Sequence, residues 1–280
     1  MAVDGGHWTW TASLRFYWML PIMLIIVLLR KNSNALWREI QQNYWQWILW
    51  SSIGFGVFYA GLSYAASTSP SWLVASTWQF TIVAGMLLTP LLQRGNKSAS
   101  RIGANKIIFS ALILLGIFIM QWKELKQADT SSFLWGTSWI LIAAFAYPLG
   151  NRKMMQLTDG RIDTYQRILG MIICSLPFWL LLTAYGYSCE GAVPTDGQLV
   201  QSLLVAVFSG VIATSLFFYA TDSVRQDPAK LASVEATQSA EVLFALAGEM
   251  LLFGTALPNW LSMLGIALVI IGMGLHSLSK

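Results

Sequence analysis

Gly56-Val57-Phe58-Tyr59-Ala60-Gly61-Leu62-Ser63-Tyr64-Ala65 decides the fold. None of these residues is charged, and the apolar run that contains them covers positions 44–65. That is close to the roughly 20 residues that cross a bilayer as a helix. Eight further runs of the same kind occupy 10–29, 71–92, 106–122, 131–150, 164–185, 198–220, 230–253 and 260–277. The connections are short, and proline marks several of them: Pro70, Pro194, Pro228 and Pro258. The pattern predicts an all-α integral membrane protein of about nine transmembrane helices.

Composition agrees with the runs. Charged residues are 11% of the 280 positions and hydrophobic ones 56%. Soluble domains carry about 25% charge, so a water-soluble globule of this chain would have too little polar surface to cover it. The first run follows no basic segment and ends in Arg30-Lys31, unlike a cleaved signal peptide. Cys174 and Cys189 are the only cysteines and offer neither a disulfide framework nor metal-ligand spacing. His7 and His276 stand near opposite ends and form no site together.

The cations alternate from loop to loop. Arg30, Lys31 and Arg38 follow the first run; Arg94, Lys97, Arg101 and Lys106 lie around the third and fourth; Arg152, Lys153, Arg161 and Arg167 follow the fifth. With Arg225, Lys230 and Lys280 this puts 14 of the 17 basic residues on one side. Cytoplasmic loops retain Lys and Arg, so the N-terminus is expected outside and the C-terminus inside. The net charge of +4 is thereby a topology signal, and it excludes a nucleic-acid partner as its explanation.

The opening decapeptide has a counterpart. Gly210-Val211-Ile212-Ala213-Thr214-Ser215-Leu216-Phe217-Phe218-Tyr219 leads to Pro228 and then Leu231-Ala232-Ser233. The first copy leads to Pro70 and then Val74-Ala75-Ser76. By the charge assignment the first turn faces outside and the second the cytoplasm, so the copies run in opposite directions. The expected organisation is a four-helix membrane repeat over 1–122 and a five-helix repeat over 131–280. In transporters built from inverted repeats, the substrate site lies near the midplane at the repeat interface.

Three strings carry a family resemblance: Gly5-Gly6-His7-Trp8-Thr9-Trp10-Thr11-Ala12-Ser13-Leu14-Arg15, then Ala143-Ala144-Phe145-Ala146-Tyr147-Pro148-Leu149-Gly150-Asn151-Arg152-Lys153, and the stretch from Pro228 to Glu241. They resemble the drug/metabolite transporter superfamily and, within it, the multidrug resistance efflux transporters. The likeness spans nearly the whole chain and implies a ten-helix bundle of two inverted five-helix repeats. The first helix here resembles the family's second, so the resemblance implies that one helix is missing ahead of Met1, with a misassigned start codon as the expected reason. It also implies a plasma-membrane, multi-pass carrier of small solutes, with export among its directions of transport.

Polar residues inside the runs are the candidate site. An ionisable residue costs about 2.5–3.5 kcal/mol at a helix centre on insertion scales, so it faces a cavity or a partner. Read as one helix, 230–253 puts Glu235, Gln238, Glu241 and Glu249 within an arc of about 120° at 100° per residue. No basic residue in the sequence matches the depth of Glu235 or Glu241, which suits a proton-coupled or cation-binding site. Glu249 and Arg15 lie at similar depth and are expected to form a structural ion pair. Trp78 and Gln79 occupy the repeat positions of Glu235 and Ala236. Tyr59, Tyr147, Asn151 and Tyr219 add rings and an amide for cationic or amphipathic solutes. Packing or interfacial anchoring explains any one of these taken singly.

No nucleophile with its base, paired metal ligands or phosphate-binding loop is present, so an enzyme has no visible machinery, and no cofactor is called for. A non-transporting membrane scaffold is the other alternative, kept open by the four-plus-five asymmetry. The expected partners are a small-molecule substrate and membrane lipid, with no oligomeric state indicated.

Overall fold

The computed structural model describes residues 6–31, 33–69, 71–92, 104–127, 130–227, 230, 231, 234, 235 and 237–278. Pro70 and Pro228, the loop cations Arg94, Lys97 and Arg101, and the side chains of Lys106, Lys123, Lys126 and Glu249 lie outside what is described. Every predicted apolar run is helical where described, and the described residues hold no strand. A membrane interior offers the backbone no water to bond, so helices that satisfy their own N–H and C=O groups are what such a sequence can form.

In chain order, α1 is Trp8–Leu29, α2 Ser33–Gln42, α3 Tyr44–Thr68, α4 Ser71–Trp78, α5 Phe80–Leu92 and α6 Ala104–Gln127. They are followed by α7 Thr130–Thr158, α8 Thr164–Glu190, α9 Asp196–Ser223, α10 Ala240–Phe253 and α11 Trp260–Leu278. Among them α1, α3, α8 and α9 are long and apolar enough to cross a membrane, and Leu73–Thr89, Ile107–Met120 and Trp260–His276 are shorter apolar segments.

Four local features depart from nine plain helices. Positions 33–42, expected to be loop, form α2. The run at 71–92 breaks at Gln79, whose N–H bonds back to the Ser76 carbonyl at 3.2 Å. The run at 230–253 is interrupted by a 3-10 turn, Thr237–Ser239. Finally, α3 and α9 each widen into a π-helix in mid-course, at Ser52–Val57 and Ala206–Ala213. In α9 the Thr214 hydroxyl donates to the Ser209 carbonyl at 2.9 Å, adding a side-chain bond inside the widened stretch.

The helices gather into two compact units, Met1–Ser67 with Ala146–Arg225, and Thr68–Phe145 with Gln226–Lys280. In unit one, α1 packs on α8, with Phe16 stacked on Trp179 at 4.4 Å between ring centres. Lipid tails are as apolar as leucine, so close packing, and not escape from water, holds such helices together. α3 and α7 approach closely at a pair of glycines, where a Cβ on Gly54 would meet the Gly150 Cα at 3.1 Å.

In unit two, α6 lies along α11 and α4 packs on α10. Leu73, Ile113, Ile117, Val242, Leu246, Ile266 and Val269 share one buried cluster. A Cβ on Gly116 would stand 2.7 Å from the Gly265 carbonyl, so the α6–α11 contact depends on backbone meeting backbone.

Candidate functional site

In unit two the break at Gln79 gathers polar groups in an apolar surround. Ser76, Thr77, Trp78 and Gln79 are all buried. The Gln79 amide nitrogen donates to the Ala75 carbonyl at 3.1 Å, whereas its Oε1 and the Ser76 hydroxyl find no hydrogen-bond partner among the described residues. A buried acceptor without a partner costs about 1–3 kcal/mol, so this oxygen is poised for a donor supplied by water or a solute.

The second interruption holds the acids. Glu235 precedes the 3-10 turn and is half-buried, Gln238 lies within it and is half-buried, and Glu241 follows it in the first turn of α10. Because a 3-10 turn advances about 120° per residue instead of 100°, the three-residue interruption turns Glu241 by about 60° toward the direction of Glu235. Val242 is fully buried while Glu241 is exposed, so the carboxylate points away from the unit-two core.

In unit one, Arg15 is buried, and its guanidinium lies over the Tyr59 ring at 4.2 Å. Its Nε has no hydrogen-bond partner among the described residues, which leaves the aromatic face as a main source of compensation for the charge. The Glu249 side chain expected beside it is not among those described. Tyr147 packs on Phe58 at 4.7 Å and on Phe217 at 6.0 Å, and Asn151 is buried one turn further along α7 with its Oδ1 unpartnered among the described residues. Tyr219 is 68% exposed and is not brought to this group.

Sequence reasoning missed the polar web at one end of unit one. Arg167, counted there among the loop cations, is buried in the first turn of α8. Its Nη1 donates to Asp222 at 2.7 Å, the Thr164 hydroxyl donates to the same carboxylate at 2.9 Å, and the Phe218 ring lies 4.5 Å from the guanidinium. Nearby, Arg161 donates to both oxygens of the buried Glu39, at 2.6 and 3.1 Å. This hydrogen bonding holds the Arg161 pKa above its ordinary value. Arg30 reaches Asp163, the N-cap of α8, at 3.4 Å. Each pair joins residues more than fifty positions apart, so no local spacing could have revealed it.

At the other end of α1 and α8, His7 meets Glu190 at 2.7 Å and the Trp10 indole donates to the Ala192 carbonyl at 2.8 Å. The Gln198 amide donates to the His7 carbonyl and the Thr11 hydroxyl, both at 2.8 Å. Unit one is thus fastened by polar contacts at both ends of its apolar length.

The sequence profile described as "EmrE: Putative multidrug resistance efflux transporter" matches residues 1–280. The chain belongs to the EmrE family. A Bacillus subtilis (strain 168) protein, YjlA, is 46% identical over all of this chain and 88% of the relative. A 42.1 kDa protein of Shouchella clausii, from the region 3' of an intracellular alkaline protease, is 44% identical over 86% of this chain; the match spans 64% of that protein. A protein of known crystal structure shares the fold at a TM-score of 0.67 and 12% identity, covering 98% of this chain and 90% of its own. Membership of the EmrE family together with the apolar helices makes the chain a multi-pass membrane protein of a transporter family rather than of an enzyme family.

Proposed function

We propose that this EmrE-family member is a secondary transporter that exports small drug-like or metabolite solutes across the plasma membrane. Nine spans form inverted repeats over 1–122 and 131–280, with the N-terminus outside and the C-terminus in the cytoplasm. The observation that carries this reading is a matched set of interruptions. Both π-helices begin four residues before the paired glycines, Ser52 before Gly56 and Ala206 before Gly210. The next helix of each repeat is also broken at a corresponding place: Gln79 is three residues after Ser76, and Thr237 four after Ser233. Corresponding helix breaks in two halves of one chain are where inverted-repeat transporters place their sites.

Packing is compatible with the same reading, because three of the helix pairs that touch are repeat counterparts: α1 with α8, α4 with α10, and α6 with α11. In unit two the solute would meet Trp78, Gln79, Glu235 and Gln238; in unit one Tyr59, Tyr147 and Asn151 are the rings and the amide available to it. Glu241 is exposed on an apolar helix, and a carboxylate there belongs in a water-filled path and not against lipid. We assign it the coupling role, carrying a proton or the positive charge of a cationic solute.

The test is pH-gradient-driven uptake of a cationic dye into proteoliposomes. Glu241→Gln keeps size and hydrogen-bonding capacity but loses the titratable charge, so coupled flux is expected to vanish while yield and melting temperature hold. Normal coupled flux in this variant would remove Glu241 from the mechanism and leave Glu235 as the candidate.

A further inference from the structure

The two sides of α2 have different surroundings. On the inner side, Leu36 is fully buried, Glu39 nearly so, and Ile40 packs on the unit-one core. Leu36 fits against Gly170 of α8 so closely that a Cβ there would meet it at 2.9 Å. Together with the Glu39–Arg161 pair, these contacts fix the helix in place.

The outer side is unlike the rest of unit one. Trp37 and Arg38 are exposed, as are Lys31 before the helix and Tyr44 and Trp45 after it. The end of α1 presents Ile25, Leu28 and Leu29 outward, so an apolar strip runs in sequence straight into Lys31. Glu39 is the one acid between positions 30 and 45, and Arg161 occupies it. Among the described residues neither Lys31 nor Arg38 forms an ion pair, whereas Arg30 is already engaged by Asp163 and the Tyr165 ring.

Lys31 carries a second sign. Its φ is +54°, the left-handed position just past a helix end that glycine ordinarily fills. A lysine kept in a conformation that disfavours it points to a use for its side chain.

We infer that the outer side of α2 is a seat for an anionic phospholipid headgroup. Lys31 and Arg38 answer the negative charge, Trp37, Tyr44 and Trp45 lie at headgroup level, and Ile25, Leu28 and Leu29 accompany the acyl chains. The proposed orientation decides only which leaflet supplies the lipid, the cytoplasmic one. A zwitterionic lipid satisfies the aromatic and apolar groups equally well, so charge is what distinguishes the seat from ordinary solvation by lipid.

The experiment is melting of the full chain in an uncharged detergent with added dioleoyl phosphatidylglycerol, dioleoyl phosphatidylcholine or inorganic phosphate. Phosphatidylglycerol is expected to raise the melting temperature several degrees more than phosphatidylcholine, and phosphate not at all. The K31Q/R38Q double variant is expected to lose that excess. Lys31→Gly removes one charge while relieving the backbone, so it should melt no lower without lipid yet show a reduced excess; it serves where the double variant fails to fold. Equal rises with both lipids, an undiminished excess in the variants, or a rise with phosphate matching that with phosphatidylglycerol would each overturn the seat. No solute or gradient enters this measurement, so the outcome is independent of the transport assay.

Discussion

Removing Asp222 should destabilise unit one far more than removing Asp222 and Arg167 together. The Arg167 side chain is 2% exposed and that of Asp222 23%, joined at 2.7 Å, with Thr164 adding a second donor to the carboxylate. Breaking a buried pair from one side costs about 3–5 kcal/mol, because the remaining charge is left without compensation. Asp222 has some access to water, and the Phe218 ring under the guanidinium persists in the variant, so the lower part of that range applies to Asp222→Ala, about 3 kcal/mol. Two Arg167 nitrogens, Nε and Nη2, already lack hydrogen-bond partners among the described residues, which gives the orphaned guanidinium few alternatives. Replacing both members by apolar residues of similar volume is often neutral or stabilising. R167M/D222L should therefore recover most of what Asp222→Ala loses. The assay is unfolding in detergent of Asp222→Ala and of R167M, D222L and R167M/D222L, the last three read as a double-mutant cycle. Single losses that add up in the double variant, or an Asp222→Ala cost below about 1 kcal/mol, would refute the reasoning.

Three other outcomes are expected. Gly150→Ala should cost about 1–3 kcal/mol by overpacking, since its Cβ would fall on the Gly54 backbone, whereas Gly248→Ala meets nothing within 4 Å and should be neutral to slightly stabilising; melting of the two variants compares them directly. Arg161→Gln should destabilise more than Glu39→Gln, by about 2 against about 1 kcal/mol, because it strands the buried carboxylate while the half-exposed guanidinium can turn to water; equal melting temperatures would contradict this. Single cysteines in the 94–106 loop should resist an impermeant thiol reagent in intact cells while cysteines in the 186–197 loop react, and the reverse pattern would invert the proposed orientation.

How much of this could be read from the sequence depends on the length over which each signal is written. Apolar runs are written over twenty residues, and each is found as helix where described. Positions 33–42 escape a reading by long apolar runs because their mean hydropathy is low, although Leu36 and Ile40, four apart among polar residues, mark a strongly amphipathic helix. The acids of the eighth run are legible as a group, but the three-residue 3-10 turn, which shifts the helical phase between them by about 60°, is not. By sequence Arg161 and Arg167 stand only among the loop cations, since a sequence shows which cations lie near a membrane face and not which of them pair with Glu39 or Asp222.

The interruptions themselves bear on where water and solute can go. A π-turn or a broken helix leaves carbonyls and N–H groups without their usual partners, and hydrocarbon supplies no substitute. Such backbone is tolerated inside a membrane only where protein or a water-filled cavity meets it. In α3 the first half of the requirement is visible: Gly54, Phe55 and Gly56 of the π-segment are all buried, and a Cβ on Gly56 would strike Phe178 of α8 at 2.8 Å. In α9 the corresponding Gly210 lies against Met19 of α1 at 2.5 Å from a Cβ. Each widened turn is therefore covered by a helix of the other proposed repeat. The break at Gln79 differs, because its covering leaves one amide oxygen without a donor among the described residues. Water or a solute that reaches this oxygen would supply the missing donor. Gln79→Leu removes that requirement while keeping the side chain's approximate size, so it should raise the melting temperature and lower solute flux together. A variant that gains stability with undiminished flux would show that the oxygen is a buried cost with no part in transport.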